Sequence, residues 1–167
     1  QLAAAARRWE DDLREALNGA MDEAVAARAL RRYGSAFPAS YREHIDAASA
    51  VDDVTSLDRL SRSDLVLRLY RPAGTATRRL GFKIYRGTAP VPLSDSLPML
   101  EHMGVRVLAE ESHRIAGGEH QPPVWLHDFA LQAQPNDGID PEAQARLFED
   151  GFARVFRGEV ENDDFNR

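Results

Sequence analysis

The sequence predicts an α+β fold: a four-stranded antiparallel sheet with helices on one face, preceded by further helices at the N-terminus. Three observations lead there. Apolar residues recur at helical spacing through most of residues 3 to 60. From residue 64 the period changes to two, in four separate stretches. Those stretches come as two pairs, each joined by a turn-rich loop that makes its strands antiparallel neighbours, with one short helix between the pairs.

The elements follow in order. Residues 3 to 33 are rich in Ala, Arg, Glu and Leu, and Trp9, Leu13, Ala16, Leu17, Ala20 and Ala24 recur at helical spacing. Asn18 and Gly19 predict a break into two helices there. In "RRYGSAFP", Gly34 suits a helix C-terminus and Pro38 resists continuation. "PASYREHI" predicts one more helical turn. "SAVDDVTSLDRLS" predicts a short helix capped by Ser49, with Val51, Val54, Leu57 and Leu60 on one face. "DLVLRLYRP" and "RLGFKIYR" alternate as half-buried strands, linked by "PAGTATR". Pro72 ends the first because it has no N–H for the ladder.

A Pro-rich loop then leads into a helix with Leu97, Leu100 and Met103 on one face. Pro98 is acceptable only near a helix start, which predicts a cap at Asp95 or Ser96 and a short helix stopped by Gly104. "VRVLAEESHRI" and "PVWLHDFALQA" predict the last two strands, with the hairpin centred near Glu119. Both faces of the final strand are largely apolar, which predicts cover on both sides. Asp140 is placed to cap a final helix with Pro141 at its first position, and residues 142 to 157 are amphipathic. The order α-β-β-α-β-β is a circular permutation of the ferredoxin-like arrangement. The expected segments are residues 1–60, helical; 61–134, a β-β-α-β-β module; and 135–167, a helix leading towards a further domain.

Composition narrows the function. The chain has 167 residues, 43% hydrophobic and 29% charged, as expected of one globular core with an appended element. No apolar run is long enough to cross a bilayer, so no membrane partner is expected. A net charge of −6 argues against nucleic acid. There are no cysteines, which removes disulfides, thiolate metal sites and Cys nucleophiles and fits a cytoplasmic location. The chain begins without Met and its last residues offer no natural stop, so it reads as a piece of something longer. Neither G-x-G-x-x-G nor the P-loop, H-E-x-x-H or G-x-S-x-G is present. No catalytic residue and no resident cofactor or metal is therefore expected.

Two constellations stand out. Gly87, Thr88, Ser94 and Asp95 gather amides, hydroxyls and a carboxylate near a helix N-terminus. Such a place can hold a ligand carboxylate, and Asp95 can meet an ammonium group; the plainer reading is that these residues cap and turn. Glu110, Glu111, His113, His127 and Asp128 lie on the last two strands, where Glu111 and His127 are expected to face each other. A carboxylate–imidazole pair there can bind a metal or move a proton, although it supplies fewer ligands than a usual zinc site. Trp9, Trp125, Phe148, Phe152 and Phe156 read as core anchors. The only lysine, Lys83, reads as an outward side chain in mid-strand.

"RRYGSAFPASYRE", "LYRP", "FKIYR", "PVPLSDSLPMLEHMG", "VRVLAEESHRI", "VWLHDFAL" and "FARVFRGEVENDDFNR" together resemble the N-terminal regulatory region of the large bacterial NAD-specific glutamate dehydrogenases, from about Ala6 to Arg167. The resemblance implies an ACT-like module, a fold that pairs through sheets or helices and often binds amino acids. It implies that the longer protein uses NAD to oxidise L-glutamate to 2-oxoglutarate, with the catalytic residues outside this chain. The implied partners are other domains of the same chain, further copies in a homo-oligomer, and an amino-acid effector at Gly87, Thr88, Ser94 and Asp95. The chain departs from the ACT pattern in its permuted strand order and in Pro90, Pro92 and Pro98, which crowd the loop that approaches the ligand. Two other readings are an inert oligomerisation domain and a small metal-dependent enzyme using Glu111, His113, His127 and Asp128.

Overall fold

The computed structural model describes residues 2–74, 78–117, 121–134 and 141–165. Four helices come first: α1 (Leu2–Ala20), α2 (Glu23–Tyr33), α3 (Ala39–His44) and α4 (Ala47–Leu60). Then come β1 (Leu65–Tyr70), β2 (Arg79–Arg86), α5 (Leu93–His102), β3 (Val105–Ile115), β4 (Val124–Ala133) and α6 (Pro141–Phe165). The strands form one antiparallel sheet in the order β1-β2-β4-β3, so the α+β expectation holds. The chain divides into two compact units, Gln1–Val66 with Tyr85–Ala89 and His113–Leu126, and Leu67–Ile84 with Pro90–Ser112 and His127–Arg167.

In the first unit α1 packs on α2, α3 and α4. Leu13 and Leu17 are fully buried on its inner face. The predicted break at Asn18 and Gly19 falls instead at Met21 and Asp22, and both residues sit inside α1. A mid-helix glycine costs about 1 kcal/mol relative to alanine, less than the burial of Leu17 returns; the helix runs on until Met21 N has bonded to Leu17 O at 3.0 Å. Trp9, Phe37 and Tyr41 form an aromatic cluster with centroids 4.6–6.0 Å apart, and Trp9 Nε1 donates to Ile45 O. The start of α4 also corrects the expectation. Asp46, not Ser49, is the cap, and its carboxylate accepts from Ser49 N at 2.7 Å. That bond holds the Asp46 carboxyl below its usual range.

In the second unit α5 packs on α6. Phe82 of β2 meets Phe148 and Phe152 of α6 with ring centroids 5.1 Å away in each case. At the edge strand β1 the Glu149 carboxylate accepts from Leu69 N at 3.1 Å, which occupies an edge amide that would otherwise invite another strand. α5 starts two to three residues before the predicted cap, at Leu93 after Pro92, and Pro98 lies inside it. The carbonyl that loses its partner to Pro98 belongs to Ser94, which is exposed, so water can satisfy it. Gly104 ends this region at φ +85°, a left-handed conformation that only glycine adopts without strain. α6 reaches Phe165, eight residues beyond the amphipathic stretch.

β2 was expected to be half-buried, but Gly81 through Tyr85 are all buried. The strand is central, between β1 and β4. Lys83 is therefore not an outward side chain: it is only 5% exposed, and its ammonium lies 5.3 Å from the centre of the Tyr70 ring. The same ring covers Gly81, where any Cβ would strike it. β4 is buried on both sides at Leu126 and His127, while Ala130 is exposed. Part of the "PAGTATR" loop, the hairpin centre at Glu119 and the cap at Asp140 lie outside the described residues.

Candidate functional site

The four loop residues are spread over the two units. Gly87 and Thr88 belong to the first unit; Ser94 and Asp95 belong to the second, exposed on the first turn of α5. Asp95 there favours the positive end of the helix dipole, and Pro92 offers no side-chain cap.

Gly87 has a more specific setting. In the first unit it lines a cavity of about 320 Å³ with Arg32 and Tyr33 from the end of α2, Leu57 and Leu60 from the end of α4, and Ser61. Ile115 to Gly117, Gln121, Pro122 and Val124 complete the wall. One guanidinium marks the polar side: Arg32 Nε donates to Gln121 Oε1 at 3.1 Å, and its carbon lies 5.3 Å from the centre of the Tyr33 ring. Asp58 stands 3.9 Å from Arg32 Nη1, a loose pair with the aspartate side chain 71% exposed. Tyr33 is 7% exposed. Burial pushes its phenol up from the ordinary value, against the opposing pull of Arg32, so the group keeps its proton as a donor. Sequence reasoning missed this place, because Arg31 and Arg32 read as cations suited to the last turn of a helix.

The strand constellation is rearranged by one residue. Glu110, not Glu111, meets His127: Nδ1 lies 3.2 Å from Glu110 Oε1 and 3.2 Å from Ser112 Oγ, and Ser112 Oγ also donates to Glu110. On the other side of the ring, Nε2 accepts from Val91 N at 2.9 Å. An accepting Nε2 places the ring proton on Nδ1, where it is donated to Glu110 or Ser112. His127, 3% exposed, thus joins β3 to the loop that leads into α5. Strand alternation turns Glu111 and Asp128 to the opposite face. There they line a shallow pocket of about 150 Å³ with Tyr70, whose hydroxyl donates to Asp128 at 2.8 Å. His113 belongs to the first unit, 3.3 Å from Ser40 Oγ and edge-on to Tyr41. The proposed group of Glu111, His113, His127 and Asp128 therefore does not converge, and among the described residues no cluster of three or more such side chains could hold a metal.

A further polar cluster was not foreseen. In the first unit Asp53 is fully buried, and its two carboxyl oxygens accept from Tyr41 and from Tyr85, both fully buried. Asp53 sits on the inner face of α4 beside Val54 and Leu57, so this carboxyl fastens α4 to α3 and to Tyr85.

Residues 16–60 match the sequence family described as glutamate dehydrogenase, helical motif 2, and residues 64–144 match glutamate dehydrogenase, ACT3 domain. Over its whole length the chain is 35% identical to the NAD-specific glutamate dehydrogenase of Halomonas elongata and 34% identical to that of Pseudomonas aeruginosa. The chain belongs to the glutamate dehydrogenase family. The NAD-specific glutamate dehydrogenase of Mycobacterium tuberculosis is 28% identical over 99% of the chain. In each comparison the chain spans about 10% of the relative's length. Within this glutamate dehydrogenase family, helical motif 2 takes in the end of α1 with α2, α3 and α4, and the ACT3 domain takes in all four strands and α5. The 320 Å³ cavity draws on both, with Arg32, Tyr33, Leu57 and Leu60 from the first and Gly87, Ile115, Gln121 and Val124 from the second.

Proposed function

We propose that this chain is a non-catalytic regulatory and assembly segment of a longer NAD-dependent glutamate dehydrogenase. In the longer protein a hydride passes from L-glutamate to NAD, and the product is 2-oxoglutarate with ammonium. The observation that carries the reading is the ACT3 match over residues 64–144, laid on a four-stranded sheet with α5 and α6 packed together. NAD belongs to the rest of that protein, because this chain has no glycine-rich loop before a helix to hold a pyrophosphate. In this reading residues 1–60 are a helical segment, 61–134 the ACT-like module and 135–167 a connection onward. Its partners are the other domains of the same chain, further copies and an amino-acid effector. The assembly role draws support from Leu147 and Val155 of α6, which are 71% and 44% exposed.

The test has two arms. The purified chain is assayed for NADH formation with L-glutamate and NAD, and it should form none. Its melting temperature is then measured with each amino acid and with 2-oxoglutarate. A ligand at about a hundred times its dissociation constant adds roughly 2.7 kcal/mol, several degrees for a chain of this size. NADH formation by the chain alone refutes the non-catalytic assignment. A melting temperature unmoved by every amino acid refutes the amino-acid effector and leaves assembly as the role.

A further inference from the structure

In the second unit the buried imidazole of His127 has a bonding pattern that only its neutral form can make. We infer that His127 is a proton-operated latch: neutral, it holds the loop before α5 through the Val91 amide; protonated, it stays on Glu110 and lets that loop go. The latch is a property of these residues and does not depend on the regulatory reading.

Three observations carry the inference. Val91 N can only donate, and it lies 2.9 Å from Nε2, so Nε2 is unprotonated in this arrangement. A proton added there sets two donors against each other and breaks the bond. On the other side of the ring, Nδ1 lies 3.2 Å from Glu110 Oε1, a contact that strengthens when the ring is charged. The His127 and Glu110 side chains are 4% and 14% exposed, so the carboxylate offsets much of the cost of a buried imidazolium. The third observation concerns the loop. Pro90 and Pro92 have no N–H, so Val91 carries the single backbone donor between Ala89 and Leu93. Val91 is buried while both prolines are exposed, and Pro92 O receives the Asp95 and Ser96 amides that begin α5, each at 3.1 Å. Loss of one bond thus loosens the entrance to α5.

The charges on the elements around the ring set the sign of the response. β3 supplies Glu110 and, in the same register, Arg106, which is exposed. β2 places Phe82 and Ile84 on that face and ends at Arg86, a half-buried cation in the same register that opposes a charged ring. Strand alternation puts Lys83, Glu111 and Asp128 on the opposite face. On α5, Asp95, Glu101 and His102 are exposed, and the buried Ser96, Met99 and Leu100 carry no charge. On α6, Glu149 is committed to Leu69 N, and Arg146, Asp150, Arg154 and Arg157 are exposed. Glu110, in direct contact, favours the proton, and the Val91 amide opposes it. The latch is therefore closed above the pH at which the ring titrates and open below it.

The test is NMR of the purified, nitrogen-15-labelled chain from about pH 8 to about pH 5, the range over which imidazoles ordinarily change charge. At the upper end the ring should show Nε2 as the bare acceptor and Nδ1 as the protonated nitrogen. As the ring takes its second proton, protection of the Val91 amide, corrected for the intrinsic pH dependence of exchange, should fall about tenfold or more. Phe129 and Leu131, both fully buried in β4, should keep theirs. Glu110→Gln should move the ring's transition to lower pH, and the loss of Val91 protection with it. His127→Gln replaces the titrating group, and its Val91 protection should no longer vary with pH. His102→Gln changes an exposed histidine and should leave the transition in place. Constant Val91 protection while the ring is titrated would overturn the inference, as would a proton on Nε2 at the upper end or a ring that stays neutral throughout. A transition unmoved by Glu110→Gln would overturn the role of the carboxylate and with it the latch. A loss shared equally by Phe129 and Leu131 would overturn it too, because it would mean general unfolding.

Discussion

Replacing Asp53 by alanine should destabilise the first unit more than any other single polar substitution in it. The carboxyl is fully buried and accepts from the hydroxyls of Tyr41 and Tyr85, which are themselves fully buried. Alanine takes that acceptor from both tyrosines and cannot replace it. A buried donor deprived of its partner costs about 1–3 kcal/mol, so two give about 2–6 kcal/mol. For a chain of this length each kcal/mol moves the melting temperature by about 2–4 °C, which puts the expected drop at roughly 5–20 °C. Asp53→Asn keeps one acceptor oxygen and turns an amide N–H₂ towards the other tyrosine, so it should lose roughly half as much. Tyr41→Phe and Tyr85→Phe remove the two donors one at a time. Because they share one carboxyl, their double-mutant cycle should show a coupling of about 0.5–3 kcal/mol. The assay is thermal unfolding followed by circular dichroism, with calorimetry to resolve the transition of each unit. Two results would refute the reasoning: Asp53→Ala melting within about 2 °C of the parent, or Asp53→Asn melting below Asp53→Ala.

Three smaller predictions follow from the same geometry. Gly104→Ala meets open space, since a Cβ there has nothing within 4 Å, but the φ of +85° should still cost about 1–2 kcal/mol; an unchanged melting temperature would contradict that. Asp46→Ala should cost about 1 kcal/mol at neutral pH through loss of the α4 cap. Because folding lowers the Asp46 pKa, that contribution is complete above the ordinary value of 3.8 and fades as pH falls through the folded value. The gap between parent and variant should therefore close in acid, and a gap of full size near pH 2 would contradict the assignment. His127→Phe removes the acceptor of the Val91 amide, and hydrogen exchange at Val91 should quicken by about ten- to a hundredfold; an unaltered rate would show that the loop does not depend on the ring.

The strands were legible because their signal is local. Alternation in "VRVLAEESHRI" and "VWLHDFAL" placed β3 and β4 to within a residue or two. Helix starts were less so, because competing caps lie close together in sequence. Asp46 and Ser49 both suit a cap, and the outcome turned on the burial of Ala47 and Ala50. Pro98 misled for a related reason. A proline inside a helix is costly in isolation, yet the burial of Ser96, Met99 and Leu100 around it offsets the single bond lost. Lys83 was misread because alternation assigns a face and not what covers it. Its face carries Tyr70, whose ring accepts the ammonium and closes over Gly81.

The candidate sites show where sequence reading stops. A strand pair has a period of two, so an error of one residue in register exchanges both faces at once. That single step moved His127 from Glu111 to Glu110, broke up the imagined metal cluster and gave the imidazole a structural duty on Val91. The cavity was hidden for a different reason. Its walls come from the ends of α2 and α4, the turn after β2, and the two sides of the β3–β4 hairpin, segments spread from Arg32 to Val124. Each of its residues has a sufficient local explanation. Arg32 complements a helix terminus, Leu57 and Leu60 fill an amphipathic face, and Gly87 begins a turn. Only folding, which brings these residues to one wall, makes the cavity visible.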